Sequence, residues 1–283
     1  MTGRSSWSAG SSRFAEGIRA ADRAARKAGH SAAEPGSARA AQREMTGVSW
    51  DAAGLDLAQL REVGVEAARH RFRAALPGLI WNAAALEGNT FTLPEVRTLL
   101  DGVTVGGRRI EEERQILALS EAYSTVDEMV GAGTFRLDKG TSDLVHGLVA
   151  RHEAIESGHF RGEGSVGGGG SVQLSTGGHV PGIPTEELPE RWNRLVEYLE
   201  EIEDPRARAL VFHAAATRAQ FYFDGNKRTS RLLMTGALLA AGVDAVNVPH
   251  MRRLEYNIAL DTLFGTGDAT TLLRFLASCA LPR

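Results

Sequence analysis

The chain has 283 residues, 43% hydrophobic and 24% charged, with a formal net charge of −3. That is ordinary globular composition, and so small a charge gives no overall field for nucleic acid or an anionic membrane. Cys279 is the single cysteine, which excludes an intrachain disulfide, and no apolar run approaches the roughly 20 residues that span a bilayer. With no apolar stretch near Met1 to act as a secretory signal, the expectation is a soluble, cytoplasmic protein without nucleic-acid or membrane partners.

Residues 1–48 are rich in Ala, Ser, Gly and Arg. They are expected to form a disordered tail, since little apolar surface is available to offset ordering entropy; Ala20–Ala28 could form a short basic helix. Residues 49–283 read as a single domain. Leu57, Leu60 and Val63 begin helical periodicity that should end at Pro77, followed by a second helix over Leu79–Leu86 with a stop at Glu87-Gly88-Asn89. Thr92 caps a short helix with Pro94 in its first turn, running to Leu100 and closed by Gly102. Glu111–Met129 and Ser142–Ala154 are amphipathic. Residues 157–184 break the pattern with many glycines, and Val166, Val172 and Leu174 allow only a loose hairpin or a loop. Helices resume at Pro189–Ile202, after Asp204-Pro205, over Lys227–Ala241 with a stop at Gly242, over Arg253–Leu263, and over Ala269–Ala280 capped by Asp268. The class is all-α with one hairpin as an appendage.

The stretch from Gln220 to Arg231 carries the chemistry. Two apolar helices meet at a polar turn, Asp224-Gly225-Asn226, where Gly225 permits positive φ and close approach of a ligand to the backbone. The first N–H groups of the following helix lack acceptors and sit at the positive end of its dipole, an arrangement that binds phosphate or carboxylate. Lys227, Arg228 and Arg231 add cations where the dipole disfavours them. An anionic ligand would resolve that conflict, and a capped turn with a solvated basic surface is the plain alternative. Beside a bound anion, Asp224 would serve as a Mg²⁺ ligand.

This stretch resembles the Fic signature, His-x-Phe-x-(Asp or Glu)-Gly-Asn-Gly-Arg-x-x-Arg. Asp224, Gly225, Asn226, Arg228 and Arg231 stand in register. Lys227 replaces the second glycine, as in the related Doc toxins, Tyr222 replaces the phenylalanine, and Gln220 replaces the histidine. The likeness runs from about Leu79 to Leu276. Leu86-Glu87-Gly88-Asn89 and Thr92-Leu93-Pro94-Glu95 resemble the family's inhibitory-helix region. Gly158-His159-Phe160-Arg161 and His179-Val180-Pro181 resemble the entry to and exit from its flap, and Arg253-Leu254-Glu255-Tyr256-Asn257 resembles a helix after the motif. The resemblance implies a Fic-type helical bundle with a β-hairpin flap. It also implies ATP or another nucleotide with Mg²⁺ as cofactors, a metal role for Asp224, and phosphate binding by Gly225, Asn226, Lys227, Arg228 and Arg231. Glu87 would be a regulatory carboxylate paired with Arg231, although Ala83 stands where the family has Ser or Thr.

Most characterised Fic proteins move AMP from ATP to a protein hydroxyl, with the histidine as base. Gln220, at the catalytic position, has no usable proton affinity near neutral pH, and a general base contributes about 10²–10⁴-fold. His213 lies about 10 Å away along the helix, at 1.5 Å per residue, and reads as a packing residue. His159 and His179 belong to the flap. The flap's Gly167–Gly170 tract is expected to make a poor docking edge for a protein target and to suit a mobile lid over a small substrate. Three functions follow: an AMP- or phosphoryl-transferase with altered chemistry, an enzyme repurposed for a small anionic substrate or metal complex, and a non-catalytic nucleotide-binding protein.

Overall fold

The fold is that of a computed structural model, which describes residues 35–282. The chain divides into two compact units after Ala41. Of the first, the described part is the opening of helix α1 (Pro35–Thr46). The second unit, from Gln42 onward, is a helical bundle. Its further helices are α2 (Val65–Leu86), α3 (Leu93–Leu100), α4 (Ile110–Gly131), α5 (Lys139–Val149), α6 (Leu188–Leu199), α7 (Pro205–Ala219), α8 (Asn226–Ala240), α9 (Arg253–Thr266) and α10 (Thr270–Ala277). Strands β1 (Val172–Gln173) and β2 (His179–Val180) pair antiparallel, with Val172 opposite Val180.

Helix α8 is the hub. It is buried on nearly every side and packs against α7, α4, α5 and α2; its second half, from Leu232, is mostly apolar, whereas residues 226–231 are polar or charged. Its N-terminal turn therefore carries buried polar side chains, Asn226, Arg228 and Arg231 among them. Several local signals set the frame. Asp204 accepts from Arg206 N and starts α7, Thr92 and Glu95 form a capping box on α3, and Asp268 Oδ1 accepts from Thr270 N at 2.8 Å. Gly242, at φ +72°, ends α8.

Four expectations fail for identifiable reasons. The tail does not extend to residue 48: Pro35–Thr46 is helical, and Thr46 and Val48 are buried. Gln42 Oε1 accepts from Trp50 N and ties this segment to the chain that follows. The Ala20–Ala28 helix lies outside the described residues. Residues 57–64 are not the start of a helix. Val63 and Gly64 donate to Gly242 O, and Asp244 N donates to Arg61 O, so the segment lies beside residues 242–244 and α2 begins after Gly64, at φ +85°. Pro77 does not end α2, which runs 22 residues through it. The proline removes one N–H and crowds the preceding turn, but packing against α4, α3 and α8 holds the helix on both sides of it. Arg69 and Arg73, just before the proline, both reach Asp127 of α4. Helix α5 is also displaced from the predicted 142–154, because Asp138 accepts from Thr141 N and sets an earlier start.

Candidate functional site

The α7–α8 turn is built by its own side chains. Gln220 ends α7 in the left-handed region at φ 51°, the one non-glycine residue with positive φ among the described residues. Glycine or asparagine usually fills such a position, and glutamine there costs about 1–3 kcal/mol. Contacts around it hold the conformation. Gln220 Nε2 donates to Thr217 O at 2.6 Å, and Gln220 Oε1 accepts from Asn226 Nδ2 at 3.2 Å. Asn226 is buried and acts as a peptide mimic across the turn: Oδ1 accepts from Tyr222 N at 2.9 Å and Nδ2 donates to Tyr222 O at 2.7 Å. Its side chain is thus committed to the fold. Gly225 takes φ +70°, and a Cβ there would lie 3.0 Å from the Ala150 methyl.

Two residues absent from the sequence-predicted site hold this turn from outside. Arg161 is 1% exposed. Its main-chain N–H donates to Phe221 O and its Nε donates to Gln220 O at 2.7 Å. Its remaining nitrogens donate to the carbonyls of Gly168, Gly169 and Ile183. The glycine tract therefore wraps the Arg161 guanidinium, and as expected of a poor edge it lies outside the strands. A Cβ on Gly170 would lie 2.5 Å from Arg161 Cζ. His146 of α5 stacks on Tyr222 at 3.7 Å. Gly158 N donates to its Nδ1 at 2.8 Å, so Nε2 carries the proton and donates to Asp224 O at 2.9 Å. Burial, with the Arg228 charge nearby, pushes this imidazole down to about 4, and it is neutral near pH 7. The Tyr222 hydroxyl, extra relative to the family's phenylalanine, donates to Asp143 Oδ1.

The three cations all come to the turn, and each meets a carboxylate of the same chain. Arg228 is bidentate to Glu153, at 2.7 and 2.6 Å. Glu87, at the end of α2, receives Lys227 Nζ at 2.9 Å and Arg231 Nη2 at 3.2 Å. Burial opposes ionisation of Glu87, but Lys227, Arg231 and Arg228 together bring it down to about 2. The basic residues that run against the helix dipole are thus matched by acids from α2 and from the segment after α5. Arg231 also lies over Tyr256, whose hydroxyl is 3.3 Å from His213 Nε2. Burial and Arg231 push His213 down to about 3. It is a neutral packing residue, and its Nδ1 faces Ser230 Oγ at 2.9 Å. His159 and His179 are exposed.

A cleft of about 550 Å³ opens over the turn. Gln220, Asp224, Gly225, Lys227 and Arg228 form its floor, with Glu87 beside them, and Phe223, Leu260, Phe264 and Val172 form an apolar wall. The β1–β2 hairpin leans over the mouth: Ser175 N donates to Asp261 Oδ1 of α9 at 3.2 Å, and Ser175 Oγ bonds the other oxygen of that carboxylate. Asp224 is the exposed acid of the floor, with 60% of its side chain accessible, and one of its oxygens accepts from Gly225 N. Among the described residues no three potential ligands converge on a metal position. A single carboxylate oxygen suits Mg²⁺, which keeps several waters and shares phosphate oxygens rather than entering an all-protein cage.

Residues 120–238 match the sequence model described as "Fic/DOC family". The chain belongs to the Fic/DOC family. It is 30% identical over 205 residues to the "Protein adenylyltransferase Fic" of Drosophila erecta, covering 71% of this chain and 39% of that protein. To the same-named protein of Drosophila yakuba it is 31% identical over 208 residues, with the same coverage. The chain thus spans about two fifths of the length of these curated relatives. Among solved structures, Fic-1 from C. elegans aligns with a TM-score of 0.61 and 23% identity over 76% of this chain and 67% of that one. A Fic domain containing signaling protein from Bacteroides thetaiotaomicron aligns with a TM-score of 0.63 and 19% identity, over 79% and 89%. These two share the fold. The Fic helical architecture, with its small two-stranded appendage, is the one expected from the motif. Glu153, Arg161, His146 and Asp261 are the site residues that the motif did not announce. Arg161 alone stood inside a segment that resembles the family.

Proposed function

We propose that this Fic-family protein binds a phosphate-bearing ligand, a nucleotide with Mg²⁺, at the 224–231 turn and belongs to the family's nucleotide-transferase class with altered chemistry. The carrying observation is the cleft whose floor is the N-terminus of α8, with Gly225 in the left-handed region and Lys227 and Arg228 alongside. Phosphate oxygens would meet the N–H groups of Asn226, Lys227 and Arg228 at the positive end of the helix. Asp224 would offer one oxygen to Mg²⁺, which neutralises phosphate charge when bound. The apolar wall of Phe223, Leu260 and Phe264 would take a flat ring, with Asn257 and Asp261 at its edge. The relatives' names, protein adenylyltransferase, support a nucleotide over a small acid.

What the residues do not supply is a base at position 220. The Gln220 amide is bonded to Thr217 O and Asn226 and cannot accept a proton. That observation favours a second reading, a nucleotide-binding protein that does not transfer. Calorimetric titration with ATP and Mg²⁺ tests the shared part of the two readings. Saturable binding that weakens in Asp224→Ala and loses its Mg²⁺ dependence supports the assignment; absence of binding under all conditions removes it. Label from ATP appearing on protein in a lysate separates transfer from binding alone.

A further inference from the structure

Glu153 has no counterpart among the residues that the motif points to, yet it makes the shortest ion pair in the turn. It lies between α5 and the flap entry at Gly158. Both its oxygens are taken by Arg228, and Oε1 also accepts from Gln115 Nε2 at 3.1 Å. Gln115 Oε1 in turn accepts from Asn89 Nδ2 at 2.8 Å, and Asn89 follows Glu87 by two residues. The carboxylates that occupy the site's cations are therefore joined by side chains through α4. They also repel each other, since each carries negative charge beside Arg228.

A carboxylate and a phosphate present the same pair of acceptor oxygens to a guanidinium. We propose that Glu153 is an internal stand-in for the ligand's phosphate: it holds Arg228 closed, and an anionic ligand must displace it before that arginine can take part in binding. The proposal rests on the ligand reading above and adds a second gate, separate from Glu87, on a different arginine. The two partners differ in freedom. The Arg228 side chain is 4% accessible and fixed inside the bundle, whereas Glu153 is 27% accessible and can turn to solvent. Arg228 would stay in place as Glu153 leaves. With the Glu153 charge removed, Arg228 keeps only the longer approach to Asp224 Oδ1, at 3.6 Å; a buried guanidinium so poorly matched is costly, so the affinity of the site for an anion of the right geometry should rise. If the pair were only a tie between the 150–157 segment and α8, removal would lower stability and leave anion affinity unchanged.

The test uses the full chain and inorganic tripolyphosphate as the probe, titrated calorimetrically with and without Mg²⁺ at fixed ionic strength. Glu153→Gln keeps one hydrogen bond to Arg228 and drops the charge. It is expected to bind about tenfold more tightly than the parent, within the usual range for coupled sites, and Glu153→Gln combined with Arg228→Gln should lose that gain. Should Glu153→Gln fail to fold, Glu153→Asp, one methylene too short to span both Arg228 nitrogens, should show a smaller gain. A folded Glu153→Gln or Glu153→Asp protein that binds no more tightly overturns the gate. If Glu87→Gly gains affinity and neither Glu153 variant does, the gate alone falls. If no variant binds the probe, the gate and the ligand reading fall together.

Discussion

Gln220 Oε1 accepts from Asn226 Nδ2 across the turn, at 3.2 Å, so the residue at the family's histidine position braces the α7–α8 turn that forms the floor of the cleft. Histidine tolerates the left-handed region better than most residues, and the backbone there is already anchored. Gln220→His in a Glu87→Gly background is expected to transfer label from ATP to protein at least about 10²-fold faster than the same background with Gln220, the low end of what a general base contributes. A double variant that binds ATP and transfers nothing would show that more than the base is missing.

Glu87→Gly should act on ligand and fold in opposite directions. Arg231, with 7% of its side chain accessible, would be left without its carboxylate, at a cost of about 3–5 kcal/mol in stability that thermal melting will register. ATP affinity should rise in the same protein, because Lys227 and Arg231 become available together. A lowered melting temperature with unchanged affinity would make Glu87 a structural tie and no regulator.

Stability should fall as the solution is acidified below neutrality. The His146 imidazole titrates near 4 in the fold against 6.5 in a free side chain, so the unfolded chain binds its proton first. The contribution is complete above about pH 6.5 and is lost as pH falls toward 4, by about 3 kcal/mol at most. Denaturant midpoints measured across that window should fall less steeply in His146→Gln. The slope should not vanish, because His213 is also depressed, to about 3.

Gly182→Ala probes the clasp around Arg161. A Cβ at that position would lie 2.6 Å from Gly169 O and 2.7 Å from Gly170 C, and backbone cannot step aside as a flexible side chain can. A loss of about 1–3 kcal/mol is expected, with faster proteolytic cutting between residues 162 and 182. Unchanged proteolysis would mean that the glycine tract is not held in this way.

Much of the fold was legible because caps and stops are local. Thr92 with Glu95, Asp204 with Pro205, and Gly242 each signal an end within a few residues, and the structure honours all three. Pro77 misled because the forces that keep α2 straight come from α3, α4 and α8, which a local pattern cannot see. The motif placed Asp224, Gly225, Asn226, Lys227, Arg228 and Arg231 together, and the resemblance upstream of it gave Glu87 as the partner of Arg231, but nothing in the sequence gave Arg228 its partner. Glu153 meets Arg228 across 75 positions of chain, and no spacing rule links them. The glycine tract was misjudged for the same reason: its composition reads as looseness until the guanidinium it surrounds is known.

The hydrogen bond that Arg161 gives residue 220 goes to the main-chain carbonyl oxygen. Every amino acid offers that same oxygen, so the clasp is blind to which side chain stands there. A lineage could therefore exchange histidine for glutamine at this position and keep the Arg161 clasp, without having to rebuild it around the new side chain.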